Sequence, residues 1–161
     1  MIAVIDVQYS DTFTQTGLVV AKTTFDPLPH SEGLIRGGPA APYEPGAFYK
    51  RELPCLLAAL GEDPFDIVII DGYVDLGAGV PGLGRHLHRA RGGMVIGVAK
   101  TRYVGADHAW PVLRGKSESP LYVTATGMSE LRAAEIVRDM AGAHRIPTLI
   151  KRADQLARRG A

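Results

Sequence analysis

Three stretches of the chain are apolar without alternation, and each runs into a charged residue: IAVIDV (residues 2–7), FDIVIIDG (65–72) and MVIGVAK (94–100). Short continuous apolar runs bounded by turn signals read as strands, and the last two have the pattern of strands buried on both faces of a parallel sheet. The polar QYSDT after the first run predicts a turn, and GLVVAKTTF (17–25) then predicts a second strand. The short connection between the two favours an antiparallel pair. Proline and glycine in PLPH and IRGGPAAP bracket a short third strand around Glu32 to Arg36. Helical periodicity starts after Pro45: Leu53, Leu57 and Leu60 keep i, i+4, i+7 spacing and Gly61 is a natural stop. Pro54 lies inside this segment, and the loss of one backbone donor predicts a kink or restart there.

LGRHLHRARGG, between the second and third buried runs, predicts a short basic helix closed by glycine, so that residues 65–100 form a βαβ unit. LYVTATG (121–127) predicts a further strand. A last helix follows over 129–142, with Ser129 as N-cap, Leu131, Ala134 and Val137 on one face, and Gly142 as the stop. The basic KRADQLARRG after it, with Lys151, Arg152, Arg158 and Arg159, could line the path of a polyanionic strand but reads first as an exposed tail, and Trp110, in the weakly patterned DHAWPVLRG, as a packing residue. The expected fold is α/β, a mixed sheet with antiparallel N-terminal strands and flanking helices.

Composition narrows the class. At 161 residues the chain has the length of one domain, expected over 1–161. Apolar residues at 46% and charged residues at 22% are those of a globular protein, not a disordered one. A net charge of +1 argues against a polycation that coats nucleic acid, while leaving a local basic face open. The single cysteine, Cys55, excludes an internal disulfide framework and has no zinc-ligand spacing around it, which points to a reducing, cytoplasmic location. The N-terminal apolar run ends at Asp6, too short for a signal segment or a membrane span.

The charged residues at the strand ends carry the candidate chemistry. In open α/β sheets functional groups gather beyond the carboxyl ends of parallel strands, where Asp6 and Asp71 are expected. A carboxylate among buried neighbours needs hydrogen bonds, a cation or a metal. Asp6 alone reads equally as a strand-end group accepting backbone N–H bonds, and Asp71-Gly72 alone as an ordinary turn. With Glu52 added from the helix, the three could converge on hard divalent cations, which take oxygen ligands and in nucleases activate water. Lys100 could meet a phosphate or developing charge, or could be a solvated strand terminus.

The segments VIDV, PYEPGAFYKRELP, DIVIIDG, IGVAK, PLYVTATG and RIPTLIKRAD, in this order from Ile2 to about Arg159, resemble the endonuclease V family. The resemblance implies a ribonuclease H-like fold and cleavage of DNA or RNA, single-stranded or inosine-containing, with Mg²⁺ (or Mn²⁺). It implies that Asp6, Glu52 and Asp71 bind metal and that Lys100 is the active-site lysine. It further implies that Tyr43, on the rigid loop with Pro42, Pro45 and Gly46, is a wedge beside a displaced base, which Gly46 and Gly72 approach through backbone. An aromatic ring can fill the gap a displaced base leaves in its stack. Two positions depart from the family pattern: Gly77 and Met128 stand where histidines are usual. A thioether is a poor ligand for Mg²⁺ and moves no protons. Three functions are therefore open: a nuclease, a nucleic-acid-binding member that does not cut, and a site recruited to a small phosphorylated ligand. His86 and His88 fall in the basic helix with Arg85, Arg89 and Arg91, expected as a solvated face.

Overall fold

The computed structural model describes residues 1–160. In chain order its elements are β1 (Ile2–Tyr9), β2 (Thr14–Ala21), β3 (Ser31–Gly37), α1 (Tyr49–Leu60), β4 (Ile67–Asp71), α2 (Leu83–Arg91), β5 (Met94–Ala99), β6 (Trp110–Val112), β7 (Leu121–Thr126), α3 (Glu130–Asp139) and α4 (Thr148–Ala157). The strands form one seven-stranded sheet in the order β3-β2-β1-β4-β5-β7-β6. β1, β4 and β5 run parallel, while β2 and β3 on one side and β7 and β6 on the other are antiparallel. This is the expected mixed sheet with an antiparallel start.

The parallel centre is apolar on both faces because each face carries helices. Successive side chains of a strand point to opposite faces. On β1, Ile2 and Val4 therefore join a core with Leu149, Ala153 and Leu156 of α4 and Val137 of α3. Ala3 and Ile5 join the opposite core with Leu56 and Leu60 of α1 and Leu87 of α2. Each of these fully buried leucines contributes about 1.5–3 kcal/mol of transfer free energy.

Several expectations change. β2 starts at Thr14 and leaves the sheet after Ala21, because the Asp26 carboxylate accepts from the Lys22 and Thr23 amides at 2.9 and 3.0 Å and turns the chain away. α1 passes through Pro54 as one element and does not restart. A proline early in a helix removes a single backbone bond. On α3, Ala134 and Val137 are buried as expected but Leu131 is 49% exposed; Ala133 and Ile136 complete the buried face. Trp110 is not a packing residue: it lies on the three-residue edge strand β6, half exposed.

The largest correction is at the end of the chain, where the basic segment is not a tail but α4, packed against β1 and β2 through Leu149, Ile150, Ala153, Leu156 and Ala157. Gly17 on β2 makes this docking close: a Cβ there would lie 2.8 Å from the Ala157 nitrogen and from the Leu156 Cβ. Arg152 pairs with Glu32 of β3 through two bonds, at 2.7 and 2.5 Å. The turn that launches α4 is gathered by Arg114, only 6% exposed, which donates to the carbonyls of Arg138, Met140, Gly142, His144 and Arg145. A buried guanidinium with five donors in a fixed fork can satisfy that many carbonyls at once.

Candidate active site

The parallel pairing of β1 with β4 stops at Ile5, so Asp6 stands one residue beyond it but inside β1, not at the strand end expected; Asp71 is the last residue of β4. Asp6 lies on β1 opposite Gly17 of β2, half buried, and accepts the Val7 amide at 2.9 Å. The expected backbone N–H bond to the carboxylate is present, though β1 continues to Tyr9 and Asp6 is not at its end. Burial, then the charges of Asp71 and Asp154, push the Asp6 carboxyl up to about 6, against partial relief from Lys100. Glu52, on the first turn of α1, is pushed up to about 7 by burial and by Asp6 and Asp71, with the Tyr9 hydroxyl and Arg51 opposing.

Asp71 ends β4, and Lys100 follows β5 directly. The Lys100 ammonium donates to Asp71 at 2.8 Å and lies 3.8 Å from Asp154. Burial alone would lower this lysine, but the bond and charge of Asp71, with Asp154 and Asp6, hold it above its usual value. Asp154, on α4, also pairs with Arg158 one turn later at 2.9 Å. The sequence reasoning missed it because it sits inside a segment that looks like a solvated tail. The signal that could have found it is the helical period of Leu149, Ile150, Ala153, Leu156 and Ala157, which fixes which face carries Asp154.

Asp6, Asp71 and Asp154 line one narrow hollow with Lys100, and Asp71 lines a second with Glu52, so the four carboxylates come from β1, α1, β4 and α4 to the same end of the sheet. Oxygen donors alone suit a hard divalent cation. Among the described residues, however, no group of three or more His, Cys, Asp or Glu side chains is gathered tightly enough to hold a metal ion as oriented. Lys100 is the cation now drawn against Asp71. The donor set therefore fits a metal chemically, with side-chain rearrangement about Lys100 as the condition.

Beside the centre, between the start of α1 and the loop after β4, opens a hollow of about 370 Å³ lined by Gly46, Phe48, Glu52, Asp71, Gly72 and Tyr103 among others. Gly72 has φ 124°, a backbone conformation that side chains rarely adopt, and a Cβ there would meet no atom within 4 Å. Its requirement is therefore conformational, and it leaves the backbone bare toward open space. Tyr43 and Pro45 are exposed and do not line this hollow; the Tyr43 ring stands edge-on to Phe48 with centroids 5.4 Å apart. A larger hollow, about 600 Å³, lies at the other end of the strands, where its cation, Arg91, is engaged by the carbonyls of Gly61 and Asp63.

The basic helix α2 is not a uniformly solvated face. Arg85 donates to both oxygens of Asp75, at 3.0 and 2.6 Å, and to Thr126. His86 stacks on Tyr49 with centroids 3.5 Å apart, and the His88 ring meets the Gly93 carbonyl. Gly77 is buried with φ 105°, and a Cβ there would run into the Gly105 carbonyl. The loop after β5 fills the space that a side chain at this position would need. Met128 packs against the α3–α4 core.

A mixed sheet with an antiparallel start and flanking helices is an α/β architecture of the ribonuclease H-like class. The sequence model of endonuclease V matches residues 1–128. The curated endonuclease V of Streptomyces avermitilis is 30% identical over 183 residues, covering 96% of this chain and 78% of its own. Its crystal structure superposes with TM-score 0.78 at 28% identity, covering 98% of this chain and 79% of that one. The Ciona intestinalis endonuclease V, solved in complex with a 24mer DNA containing an inosine followed by a ribo-adenosine, superposes with TM-score 0.80 at 20% identity, covering 98% of this chain and 84% of that one. The chain belongs to the endonuclease V family. Among the described residues no helix is long and apolar enough to cross a membrane.

Proposed function

We propose that this chain is a metal-dependent endonuclease that cuts a phosphodiester near a deaminated base, inosine, in DNA or RNA. Asp6, Glu52, Asp71 and Asp154 would hold Mg²⁺ or Mn²⁺, and Lys100 would stand as a fixed charge beside them. The bound cation would supply Lewis acidity toward the phosphoryl oxygens and a more acidic water. Against four carboxylates the nearby cations are Lys100, Arg158 and, beside Glu52, Arg51, so a polyanionic strand would be repelled until the carboxylates are neutralised. The observation that carries this reading is that Asp6, Asp71, Asp154 and Lys100 line one hollow, with Glu52 across Asp71 in the next, and that Asp6 and Glu52 are both raised there. Perturbed acids grouped in a crevice mark functional sites more often than structural ones.

The chain's own residues would do the rest. Lys100, held protonated 2.8 Å from Asp71, presents positive charge where negative charge develops on the phosphoryl group. Tyr43, exposed at the tip of the Pro42–Gly46 loop, would fill the gap left in the base stack, with its ring braced by Phe48. The hollow between Gly46 and Gly72 would receive the displaced base against bare backbone.

The test is incubation of the purified protein with inosine-containing single- and double-stranded DNA and RNA, with Mg²⁺ or Mn²⁺, beside an Asp6→Asn variant. Nicking by the wild type alone is the expected result; no nicking at enzyme excess in either metal would remove the proposal. Gly77 under Gly105 and Met128 in the core favour a second reading, a member that binds strands without cutting. It predicts salt-sensitive oligonucleotide binding, weakened by Tyr43→Ala, without scission.

A further inference from the structure

Lys100 and Asp154 also form one wall of a separate hollow of about 320 Å³, whose other lining residues are His144, Arg145, Ile146 and Lys151. It lies on the α4 face of the sheet. The base-sized hollow lies on the α1–α2 face, and the acidic centre sits at the strand ends between them. Its charge is lopsided. The carboxylate within it, Asp154, is already shared between Arg158 and Lys100. Arg145 donates to the carbonyls of Lys100, Ser119 and Pro120, at 2.6, 2.9 and 3.0 Å, which satisfy its geometry and leave its charge uncompensated. Lys151 is exposed and makes no salt bridge among the described residues. His144 adds an exposed imidazole.

Two uncompensated cations and an imidazole converging on a concave wall, next to the reacting centre, are the electrostatic footprint of an anion. We infer that this hollow is a phosphate subsite: it holds a backbone phosphate of the strand beyond the scissile centre, on the side away from the base-sized hollow, with Lys151 as its principal contact. The inference rests on the nuclease proposal above, since that proposal sets the strand across the acidic centre. Arg145 contributes a second function here. Its bond to the Lys100 carbonyl ties the cationic wall to the residue that ends β5, so a phosphate seated in the hollow and the charge at the centre are held in one frame. A contact of this kind positions the strand and reads no base.

The experiment measures equilibrium binding of a fluorescent single-stranded inosine oligonucleotide, without cutting, over a salt series. The proteins are the wild type, Lys151→Glu, and Lys22→Glu at the opposite end of the sheet as a control for net charge. A second set of oligonucleotides carries one neutral methylphosphonate, moved phosphate by phosphate. The expected result is about tenfold weaker binding for Lys151→Glu at low salt and a salt slope lowered by about 1. One methylphosphonate position should cost the wild type a similar factor and cost Lys151→Glu nothing more. Equal weakening in both charge-reversal variants, or methylphosphonate effects that add in full at every position, would overturn the subsite and leave the nuclease proposal standing. Thermal stabilisation by inorganic phosphate that Lys151→Glu abolishes, with unchanged oligonucleotide binding, would assign the hollow to a free anion and overturn the strand. Absence of wild-type binding would overturn the subsite and its parent proposal together.

Discussion

Asp6 and Gly17 are partners across the β1–β2 ladder, and the bare Cα of Gly17 is what lets α4 descend far enough to set Asp154 against Asp6. The electrostatic trace of that approach is the contribution of Asp154 to the raised Asp6 carboxyl. Gly17→Ala should therefore destabilise the protein by about 2–3 kcal/mol through overpacking. It should also lower nicking more than its stability loss explains, because the helix that carries Asp154 is displaced. Chemical denaturation and single-turnover nicking on folded protein check both parts; a neutral substitution would show that α4 can shift without consequence.

The acidic centre predicts a pH dependence whose sign is fixed. Asp6 and Glu52 have folded values of about 6 and about 7, above the ordinary 3.8 and 4.5. The folded state thus holds protons that the unfolded state releases, and stability from these groups is full below about pH 4 and lost as pH rises through 6 and 7. In chelator, the melting temperature should fall from pH 5 to pH 8, by an amount corresponding to roughly 1–3 kcal/mol. Glu52→Gln should flatten the curve and stabilise the metal-free protein at pH 8 while abolishing nicking. Added Mg²⁺ should raise the melting temperature more at pH 8 than at pH 5, as calorimetry in matched buffers would record.

Lys100 competes with any metal for Asp71. Lys100→Met should therefore bind Mn²⁺ several-fold more tightly, by titration calorimetry, yet nick on the order of a hundredfold more slowly, since a preorganised charge at a developing anion is worth about that factor. Weaker Mn²⁺ binding in this variant would mean that Lys100 orders the carboxylates and does not screen them.

The parallel core was legible because its strands are buried on both faces and read as unbroken apolar runs. Asp71 and Lys100 are marked as candidates by where those runs stop and Asp6 by the charge that interrupts its run, while Glu52 is singled out by the PYEPGAFYKRELP resemblance and not by periodicity. Asp154 was obscured: the helical period of Leu149, Ile150, Ala153, Leu156 and Ala157 is in the sequence, but Lys151 and Arg152 among them and Arg158 and Arg159 after them give the segment the look of a solvated tail, and its reach depends on a glycine over a hundred residues away. β6 was lost for another reason: three residues with a proline at a sheet edge carry almost no periodic signal. The Arg85–Asp75 clamp and the filled space at Gly77 are tertiary facts with no local sequence trace.

Gly77 leads to a prediction about repair by mutation. Restoring the family's histidine with Gly77→His should fail: the backbone is left-handed and the new Cβ meets the Gly105 carbonyl. We expect a loss of about 3 kcal/mol or more and no gain in nicking. A faster enzyme would show that the loop after β5 yields readily.

The acidic side chains that meet at the sheet edge are drawn from positions 6, 52, 71 and 154, and the last of them arrives on the final helix. A chain whose α4 has come away from β1 and β2 holds an incomplete set. A centre built this way would be disarmed by the loosening of that one helix, before the rest of the sheet opens.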